Sequence, residues 1–433
     1  MSARVALAVV GDLAQASDTP TCVASVSQIK ERYRRHASSP AGKRGGGNLR
    51  KSEFRNRRNG ESESRGHEHP KDVMKMMMVN FQIDPMLADQ LEQGRTLPAH
   101  WYSDAAVFEA EKRRIFHRSW QYMGDLGQLK DPGDFITATI GDLPILVVRD
   151  NDGAIRAFAN VCRHRGSEVV LECAGNRKTL QCHYHGWTYN LDGSLRNAPR
   201  SNEQASFVKE KLSLKTLAVE TWGPMIFVNP DPAAAPFDKL TAQLPAVFER
   251  GQVDLGQVRM RRHDVYEIAA NWKSIIENFN ECYHCPIAHP AFSKLIDVDS
   301  YEVETDHEYF STYYGPLRQS RQNGVTYATL WPTVMFALSS APMAMQVLCV
   351  IPIDAHHSRE TIDYYFTDDI TEHDMRVYVE LSDLVQREDI VLVESVQRGL
   401  RSGAVAQGNL MLSRERGIQH FQKLVYRSLS ETV

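Results

Sequence analysis

The pattern of apolar and polar positions changes twice along the chain. Between residues 79 and 120, apolar residues recur three and four positions apart in "DPMLADQLEQG" and "SDAAVFEAEKRRIFHRSW", which predicts helices. From residue 134, the stretches "DFITATIG", "LPILVVRD" and "IRAFANVCRH" are rich in β-forming residues, and the turn sequences "GD" and "DNDG" separate them. The pattern therefore predicts a mostly β segment over 121–235.

The remainder of the chain, 236–433, mixes the two periods. "YEIAANWKSIIENFNECYHC" (266–285) has helical spacing, and Pro286 is predicted to end that helix because proline cannot continue it. The patterns that follow are strands over 344–354 and 361–369 and helices over 371–402 and 412–430. This order predicts an α+β arrangement whose sheet is antiparallel.

Residues 1–78 have a different composition. Lys and Arg outnumber Asp and Glu between 28 and 75 and apolar periodicity is almost absent, so we expect a disordered or artefactual extension. A basic segment could bind RNA or an anionic membrane surface. The whole chain, however, carries a net charge of −4 and has no apolar run of the roughly 18 residues that a membrane span needs. We therefore predict no nucleic-acid partner and no membrane partner.

The stretch "NVCRHRGSEVVLECAGNRKTLQCHYHGWTY" (160–189) contains a first candidate metal site. It repeats a cysteine followed by a histidine: Cys162 and His164, then Cys182 and His185. Zinc accepts two cysteines and two histidines, but zinc fingers keep like ligands together and place the histidines on a helix. Alternation in a β context favours a Rieske [2Fe–2S] cluster, in which one iron takes both cysteines and the other both histidines.

A second candidate site lies in "ECYHCPIAHP" (281–290). Two imidazoles, His284 and His289, together with one carboxylate would form the facial triad of non-haem Fe(II) oxygenases. From the residues alone, the carboxylate is either Glu281 or Asp389, the latter near the start of a predicted helix in "REDIVLVESVQRGLRS". Cys282 and Cys285 in the same stretch could bind zinc or undergo thiol redox, but small buried residues on the helix are the favoured interpretation.

The two motifs together resemble the oxygenase component of Rieske non-haem iron oxygenases, over about residues 100–430. "NVCRHRGSEVV…CHYHGWTYNLDGSL" is similar to the cluster motif of that family, except that His183 stands where proline is usual, and "NWKSIIENFNECYHCPIAHP" is similar to its iron-site motif. The resemblance implies one [2Fe–2S] cluster on Cys162, His164, Cys182 and His185, and one mononuclear Fe(II) on His284, His289 and Asp389. It thereby favours Asp389 over Glu281 as the third iron ligand.

The resemblance also implies a division of the chain. An all-β Rieske domain would occupy 121–235, and a helix-grip α+β catalytic domain with an antiparallel sheet would occupy 236–433. Residues 79–120 would be a helical part of the catalytic domain that precedes the Rieske domain, and 1–78 an extension.

Glu281 falls on the acid that bridges two subunits in this family. Most members have Asp there, and Glu resembles the branch that acts on quaternary ammonium compounds. The resemblance implies a cytoplasmic homotrimer that N-demethylates a small cationic substrate, such as proline betaine or glycine betaine, with O2 and a separate NAD(P)H-dependent flavin/iron–sulfur reductase. Candidate rings for a cation are Tyr313, Tyr314, Trp331 and Phe336.

Other functions stay open at this point. They are a carnitine or choline monooxygenase, an aromatic-ring dioxygenase or O-demethylase on the same scaffold, and an electron-transfer protein that contains the cluster without a second iron.

Overall fold

The computed structural model describes residues 83–431 of the 433-residue chain. The predicted extension over 1–78 lies outside the described residues. Within the described range, no helix is both long enough and apolar enough to cross a membrane.

The described residues form helices and strands in mixed order. The helices are α1 Leu87–Glu92, α2 Ala105–Arg114, α3 Phe237–Thr241, α4 Leu244–Arg250, α5 Trp272–Phe279, α6 Cys285–Ala288, α7 Pro290–Leu295, α8 Glu372–Arg401 and α9 Arg416–Ser430. The strands of the first half are β1 Gln121–Asp125, β2 Asp134–Ile140, β3 Leu143–Arg149, β4 Ile155–Ala159, β5 Ala174–Asn176, β6 Leu180–Gln181, β7 Thr188–Tyr189, β8 Leu195–Asn197, β9 Thr216–Trp222 and β10 Met225–Asn229. Those of the second half are β11 Val258–Ile268, β12 Glu302–Glu304, β13 Phe310–Leu317, β14 Ser320–Leu330, β15 Val334–Ser340, β16 Met343–Pro352 and β17 Ser358–Thr367.

The first half is a β structure of two antiparallel sheets. Seven strands form one sheet in the order β1-β10-β9-β4-β3-β2-β5, and β6, β7 and β8 form a smaller one. The stretch "TWGPMIFVNPDP" (221–232) contains the end of β9 and the whole of β10. The chain reverses between them at Gly223, whose φ of +55° favours glycine.

The second half is built on another seven-stranded antiparallel sheet, in the order β11-β17-β16-β15-β14-β13-β12. The predicted pair of strands near 344–354 and 361–369 is confirmed as β16 and β17, which pair antiparallel from Ala344 and Phe366 to Pro352 and Ser358. The long helix α8 packs against α5, and α9 packs against α1, α2 and α5. The chain before the first sheet therefore packs on the helices of the second half.

One hydrophobic core joins the two large sheets. Tyr122 and Phe227 from the first sheet belong to the same buried cluster as Phe336, Val347 and Tyr365 from the second. Each of these side chains alternates with residues that point to the other side of its strand, as strand geometry requires. The β half and the α+β half are thus held together by shared apolar packing.

The helix predicted over 266–285 is wrong in its extent. Residues 258–268 form strand β11, and α5 begins only after Asn271, whose side chain accepts a hydrogen bond from Lys273 N at 3.1 Å. This N-cap starts the helix where the sequence spacing alone shows no break. Pro286 lies in the first turn of α6, where its missing N–H costs no hydrogen bond, so it starts a helix rather than ending one.

Candidate active site

The first candidate site consists of two loops with the same backbone hydrogen bonds. Cys162 O accepts from Gly166 N at 3.0 Å, and Cys182 O accepts from Gly186 N, also at 3.0 Å. Both glycines have positive φ, 75° and 71°, a conformation that other residues rarely adopt. The two turns are closed by Cys162 N to Ser167 O and Cys182 N to Trp187 O. The two halves of the motif therefore form loops with the same backbone geometry.

The loops bury their cysteines and expose their histidines. Cys162 and Cys182 are 3% and 2% exposed, whereas the rings of His164 and His185 lie at the surface with centroids 4.5 Å apart. The indole ring of Trp187 stacks on His164 at 4.9 Å. Two buried sulfurs on one side and two adjacent imidazoles on the other fit the donor set of a Rieske cluster. The histidine side is the side open to a partner.

Tyr189 supports this site although sequence reasoning did not single it out. Its hydroxyl lies 3.3 Å from Cys162 Sγ and accepts a hydrogen bond from Arg163 N at 3.0 Å. The side chain is fully buried. With Cys162 as a thiolate, the Tyr189 hydroxyl donates to the sulfur. The motif "GWTY" contains this residue, but nothing in its spacing indicates the direction of its side chain.

The second candidate site brings Asp389 together with two histidines that precede it by about a hundred residues in the sequence. Nε2 of His284 and Nε2 of His289 are 3.1 Å apart, and Asp389 Oδ1 lies 3.0 Å from His289 Nε2 and 3.4 Å from His284 Nε2. Adjacent ligands of an octahedral ion with bonds of about 2.1 Å are separated by about 3 Å. The three atoms therefore form one triangular face that could hold a divalent metal and leave its opposite side open.

A carboxylate holds the other nitrogen of each histidine. Glu281 hydrogen-bonds His284 Nδ1 and also accepts from His284 N at 3.2 Å, and Glu388 Oε2 lies 2.7 Å from His289 Nδ1. These contacts keep each Nε2 directed at the triangle and make the imidazoles more basic. Glu388 is a further residue that sequence reasoning missed, although its place next to Asp389 in "RED" was a visible signal.

Opposite charges lie next to each other at this site. Burial alone would lower the pKa of His284, but hydrogen bonds to Asp389 and Glu281 raise it to about 10. Burial would raise the pKa of Asp389, yet the two histidines hold it below its usual value. A metal cation can take the place of the protons that these groups hold.

Glu281 and His284 do not lie on a helical face, as the predicted helix required. Both belong to the irregular segment between α5 and α6, and the contact between them comes from the turn that Glu281 forms with the N–H groups of Tyr283 and His284. Cys282 and Cys285 are buried, as expected, but they are joined by a disulfide and do not lie on α5. The disulfide closes the loop that carries His284.

A small cavity lies beside Asp389, and a row of aromatic rings extends from it. Phe279 lines the cavity, and the Phe279 ring contacts that of Tyr327 at 5.8 Å, which in turn lies 6.3 Å from the ring of Tyr301. Tyr301 and Tyr327 are only partly buried by surface area, yet burial raises the pKa of both phenols. Tyr301 and Tyr327 therefore lie deep in the protein, while part of each side chain stays accessible.

The register of the second sheet shows which side chains lie beside Tyr327. Tyr327 on β14 pairs with Ala337 on β15, which pairs with Gln346 on β16, so the three side chains share one face. Gln346 Nε2 donates to Tyr378 Oη on α8 at 3.1 Å. This face of the sheet therefore lies against α8, the helix that carries Asp389.

The four aromatic residues proposed from the sequence have different positions. Trp331 packs against Trp272 and Phe421, and Phe336 lies in the shared core. The ring of Tyr314 lies under the guanidinium of Arg250. The ring of Tyr313 stacks 6.1 Å from that of Tyr301.

Comparison with known proteins gives matches over both halves of the chain. The family model described as Rieske [2Fe-2S] domain matches residues 119–215. The model described as ring hydroxylating alpha subunit (catalytic domain) matches residues 255–314 and 312–431. The two candidate metal sites lie one in each matched region.

The chain matches similar proteins over most of their length. The oxygenase subunit of carnitine monooxygenase from Acinetobacter baumannii is 36% identical over 76% of this chain and 94% of its own. Chloroplastic choline monooxygenase from Atriplex hortensis is 30% identical over 80% of each chain. A solved quaternary ammonium Rieske monooxygenase, described for carnitine oxidation by gut microbiota and inter-subunit electron transfer, is 32% identical, with a TM-score of 0.73 over 81% of this chain and 99% of its own.

Proposed function

Because the chain belongs to the Rieske oxygenases with a ring-hydroxylating alpha-subunit catalytic domain, we propose that it is the oxygenase component of a monooxygenase for quaternary ammonium compounds. Members of the family carry one [2Fe–2S] cluster and one mononuclear iron, and this chain has a donor set for each. We assign Cys162, His164, Cys182 and His185 to the cluster and His284, His289 and Asp389 to the iron. The fold class expected from the sequence, an all-β Rieske domain with an α+β catalytic domain, is confirmed.

The observation that carries the substrate class is the group of aromatic rings near the iron triad. A quaternary ammonium ion cannot lose its charge, so a protein binds it best between aromatic faces. Phe279, Tyr301, Tyr327 and Tyr378 provide such faces. Relatives that act on carnitine and choline support the same class.

The reaction that we propose is oxidative N-demethylation of a betaine such as proline betaine or glycine betaine. An N-methyl C–H bond is hydroxylated, and the hemiaminal breaks its C–N bond to give formaldehyde and the demethylated amine. O2 and NAD(P)H with one proton are consumed, and water and NAD(P)+ are formed. When bound, the cluster supplies single electrons and the iron supplies open positions for O2. A separate NAD(P)H-dependent reductase is the electron source in this proposal.

The chain's own residues position these groups. Glu281 and Glu388 each hold the Nδ1 proton of one histidine, so both Nε2 lone pairs face the triangle completed by Asp389. The cavity beside Asp389, with Phe279 and Ile390 in its lining, would keep water away from the reacting methyl group.

We further propose that electrons cross between subunits of a homotrimer through Glu281. His164 and His185 are exposed, and the loop next to Glu281 exposes Tyr283 and Ile287, the latter 88% accessible. An apolar side chain with that exposure is suited to a protein interface. The apolar clusters beneath the two sites share no residue, so each site packs on a separate apolar cluster. Glu281 would join His284 of one subunit to His185 of the next.

Turnover with NADH, a reductase and a panel of betaines tests the substrate class, with formaldehyde as the assayed product. Absence of product from every quaternary amine would exclude the proposal. The similarity to carnitine monooxygenase favours a second candidate, hydroxylation of the carbon chain next to nitrogen, and this reaction releases trimethylamine in place of formaldehyde.

Metal analysis tests the assignment separately. Asp389→Ala should keep the visible spectrum of the cluster and lose the mononuclear iron. Loss of both signals, or of neither, would contradict the assignment of Asp389.

A further inference from the structure

A buried carboxylate lies in the cavity beside the iron triad. Glu360 on β17 is 2% exposed and lines the cavity together with Asp389, Asn278 and Phe279. Its neighbour along the same face of the strand, Ile362, is apolar and fully buried. Glu360 therefore places an acidic group in the same cavity as the proposed metal ligand Asp389.

This carboxyl group has no cationic partner among the side chains that the structure describes. It accepts one hydrogen bond, from Gln386 Nε2 at 2.6 Å, and none of those lysines, arginines and histidines forms an ion pair with it. Burial raises the pKa of Glu360 to about 8, and the charge of Asp389 adds to the increase. An isolated buried acid is unfavourable, and an apolar residue of the same size would cost less. The fold therefore keeps a buried carboxyl group here that no basic neighbour pairs with, and a cation bound beside it would favour its ionised form.

We propose that Glu360 is the counter-charge for the substrate's quaternary ammonium group and that it determines specificity for cations. This inference rests on the proposed function. Asp389 cannot have this role, because its charge is directed at His284 and His289 and would be shared with the metal. The aromatic rings near the cavity attract a cation through their faces. An ionised Glu360 adds the formal negative charge that a desolvated cation needs.

The position of Glu360 also orients the substrate. Glu360 and Asp389 line the same cavity, whereas Tyr378 lies more than two turns before Asp389 on α8. A betaine held by its ammonium at Glu360 presents its N-methyl groups towards the triad and its carboxylate away from it. The C–H bonds next to nitrogen are then those nearest the metal, as either candidate reaction requires.

Substrate binding to the holoenzyme tests this role without depending on turnover. Calorimetry would compare two matched pairs: glycine betaine against 3,3-dimethylbutyrate, and choline against 3,3-dimethyl-1-butanol. Within each pair a quaternary carbon replaces the cationic nitrogen and the shape is kept. Glu360→Gln should weaken binding of the cations about 30-fold or more. The carbon analogues lack the positive charge, so their binding should not weaken, and the preference for the quaternary ammonium group disappears.

Three further variants complete the test. Glu360→Asp should retain most of the preference, and Glu380→Gln, an exposed carboxylate on α8, should leave both affinities unchanged. Glu360→Met removes the buried charge in a side chain of similar size, which favours folding, and should behave like Glu360→Gln. The visible spectrum and iron content of each variant check that both metal sites are intact.

The outcomes separate the two proposals. If the wild-type enzyme binds quaternary amines and Glu360→Gln weakens a cation and its carbon analogue equally, or weakens neither, the role of Glu360 is wrong while the proposed function stands. If the wild-type enzyme binds and oxidises no quaternary amine, the proposed function fails, and the role of Glu360 fails with it.

Discussion

Tyr189 illustrates how a single buried hydroxyl can set the properties of a cluster. The hydroxyl lies 3.3 Å from Cys162 Sγ, and hydrogen bonds to ligand sulfurs stabilise the reduced form of an iron–sulfur cluster. We expect Tyr189→Phe to lower the midpoint potential by about 40 mV, the equivalent of roughly 1 kcal/mol for one electron. Protein-film voltammetry would measure the shift.

The matched control for this change is Tyr184→Phe. Tyr184 is 53% exposed and its ring contacts His185 and Arg165, so its hydroxyl is not directed at a cysteine sulfur. Its potential should equal that of the wild type. A Tyr189→Phe protein with an unchanged potential would show that the hydroxyl does not donate to Cys162.

Glu388 acts on the iron through His289. Its carboxylate oxygen lies 2.7 Å from His289 Nδ1. Loss of such a contact to a metal-binding histidine typically weakens metal binding by about 10–100-fold, and we expect the same factor here. Glu388→Gln should therefore lower iron affinity in a competition assay with a chelator, while the cluster spectrum stays unchanged. Glu394→Gln, two turns further along α8, should leave iron affinity intact. Equal affinities of the two variants would contradict an orienting role for Glu388.

At the scale of elements, the sequence predicts the strands and the long helices well and the loop at the iron less well. The β16–β17 pair and helices α8 and α9 agree with their hydrophobic periods. The break between β11 and α5 depends on an N-cap hydrogen bond of Asn271, and the start of α6 on Pro286, both of which are compatible with several local structures.

The candidate site shows the same division. His284, His289 and Asp389 come from motifs with a fixed order and are brought together in space. Glu360, Glu388 and Tyr189 were missed, because their roles depend on which strand or helix faces them. That information arises only from the packing of distant parts of the chain.

Helix α9 packs closely against the start of the loop that leads to the proposed iron ligands. Gly417 packs so closely that an added Cβ would lie 2.5 Å from Asn280 O and would also collide with the hydroxyl of Tyr313. Asn280 immediately precedes Glu281. We expect Gly417→Ala to destabilise the protein by about 1–3 kcal/mol, as overpacking does, and to lower iron content. Denaturant unfolding and metal analysis measure the two effects.

Gly399→Ala is the matched control, since it makes the same change in another helix. No atom lies within 4 Å of the Cβ that alanine would add to Gly399 in α8. This variant should be as stable as the wild type or more stable by about 0.5–1 kcal/mol, because alanine favours helices over glycine. If both variants lost stability equally, close packing at Gly417 would not be the cause.

At the scale of the whole molecule, a polar network accompanies the apolar core between the two large sheets. Asp363 on β17 is buried, and its carboxylate accepts a hydrogen bond from Tyr122 on β1 at 2.6 Å and contacts His263 Nδ1 on β11 at 2.6 Å. Tyr365 lies 3.2 Å from the Tyr122 hydroxyl. The charge of Asp363 thus links the β half to the α+β half, and protonated His263 compensates it.

This network predicts how stability depends on pH. The hydrogen bond to Asp363 raises the pKa of His263 above its usual value near 6.5, although burial opposes the increase. A raised pKa in the folded state means that the stabilisation by His263 is complete below pH 6.5 and is lost as pH rises through the raised value. The difference in melting temperature between wild type and His263→Gln should therefore be largest near pH 6 and should shrink towards pH 9. His100→Gln, an exposed histidine, should differ from wild type by a small, constant amount. A wild-type advantage over His263→Gln that grew with pH would show that His263 stabilises the junction of the two sheets in its neutral form.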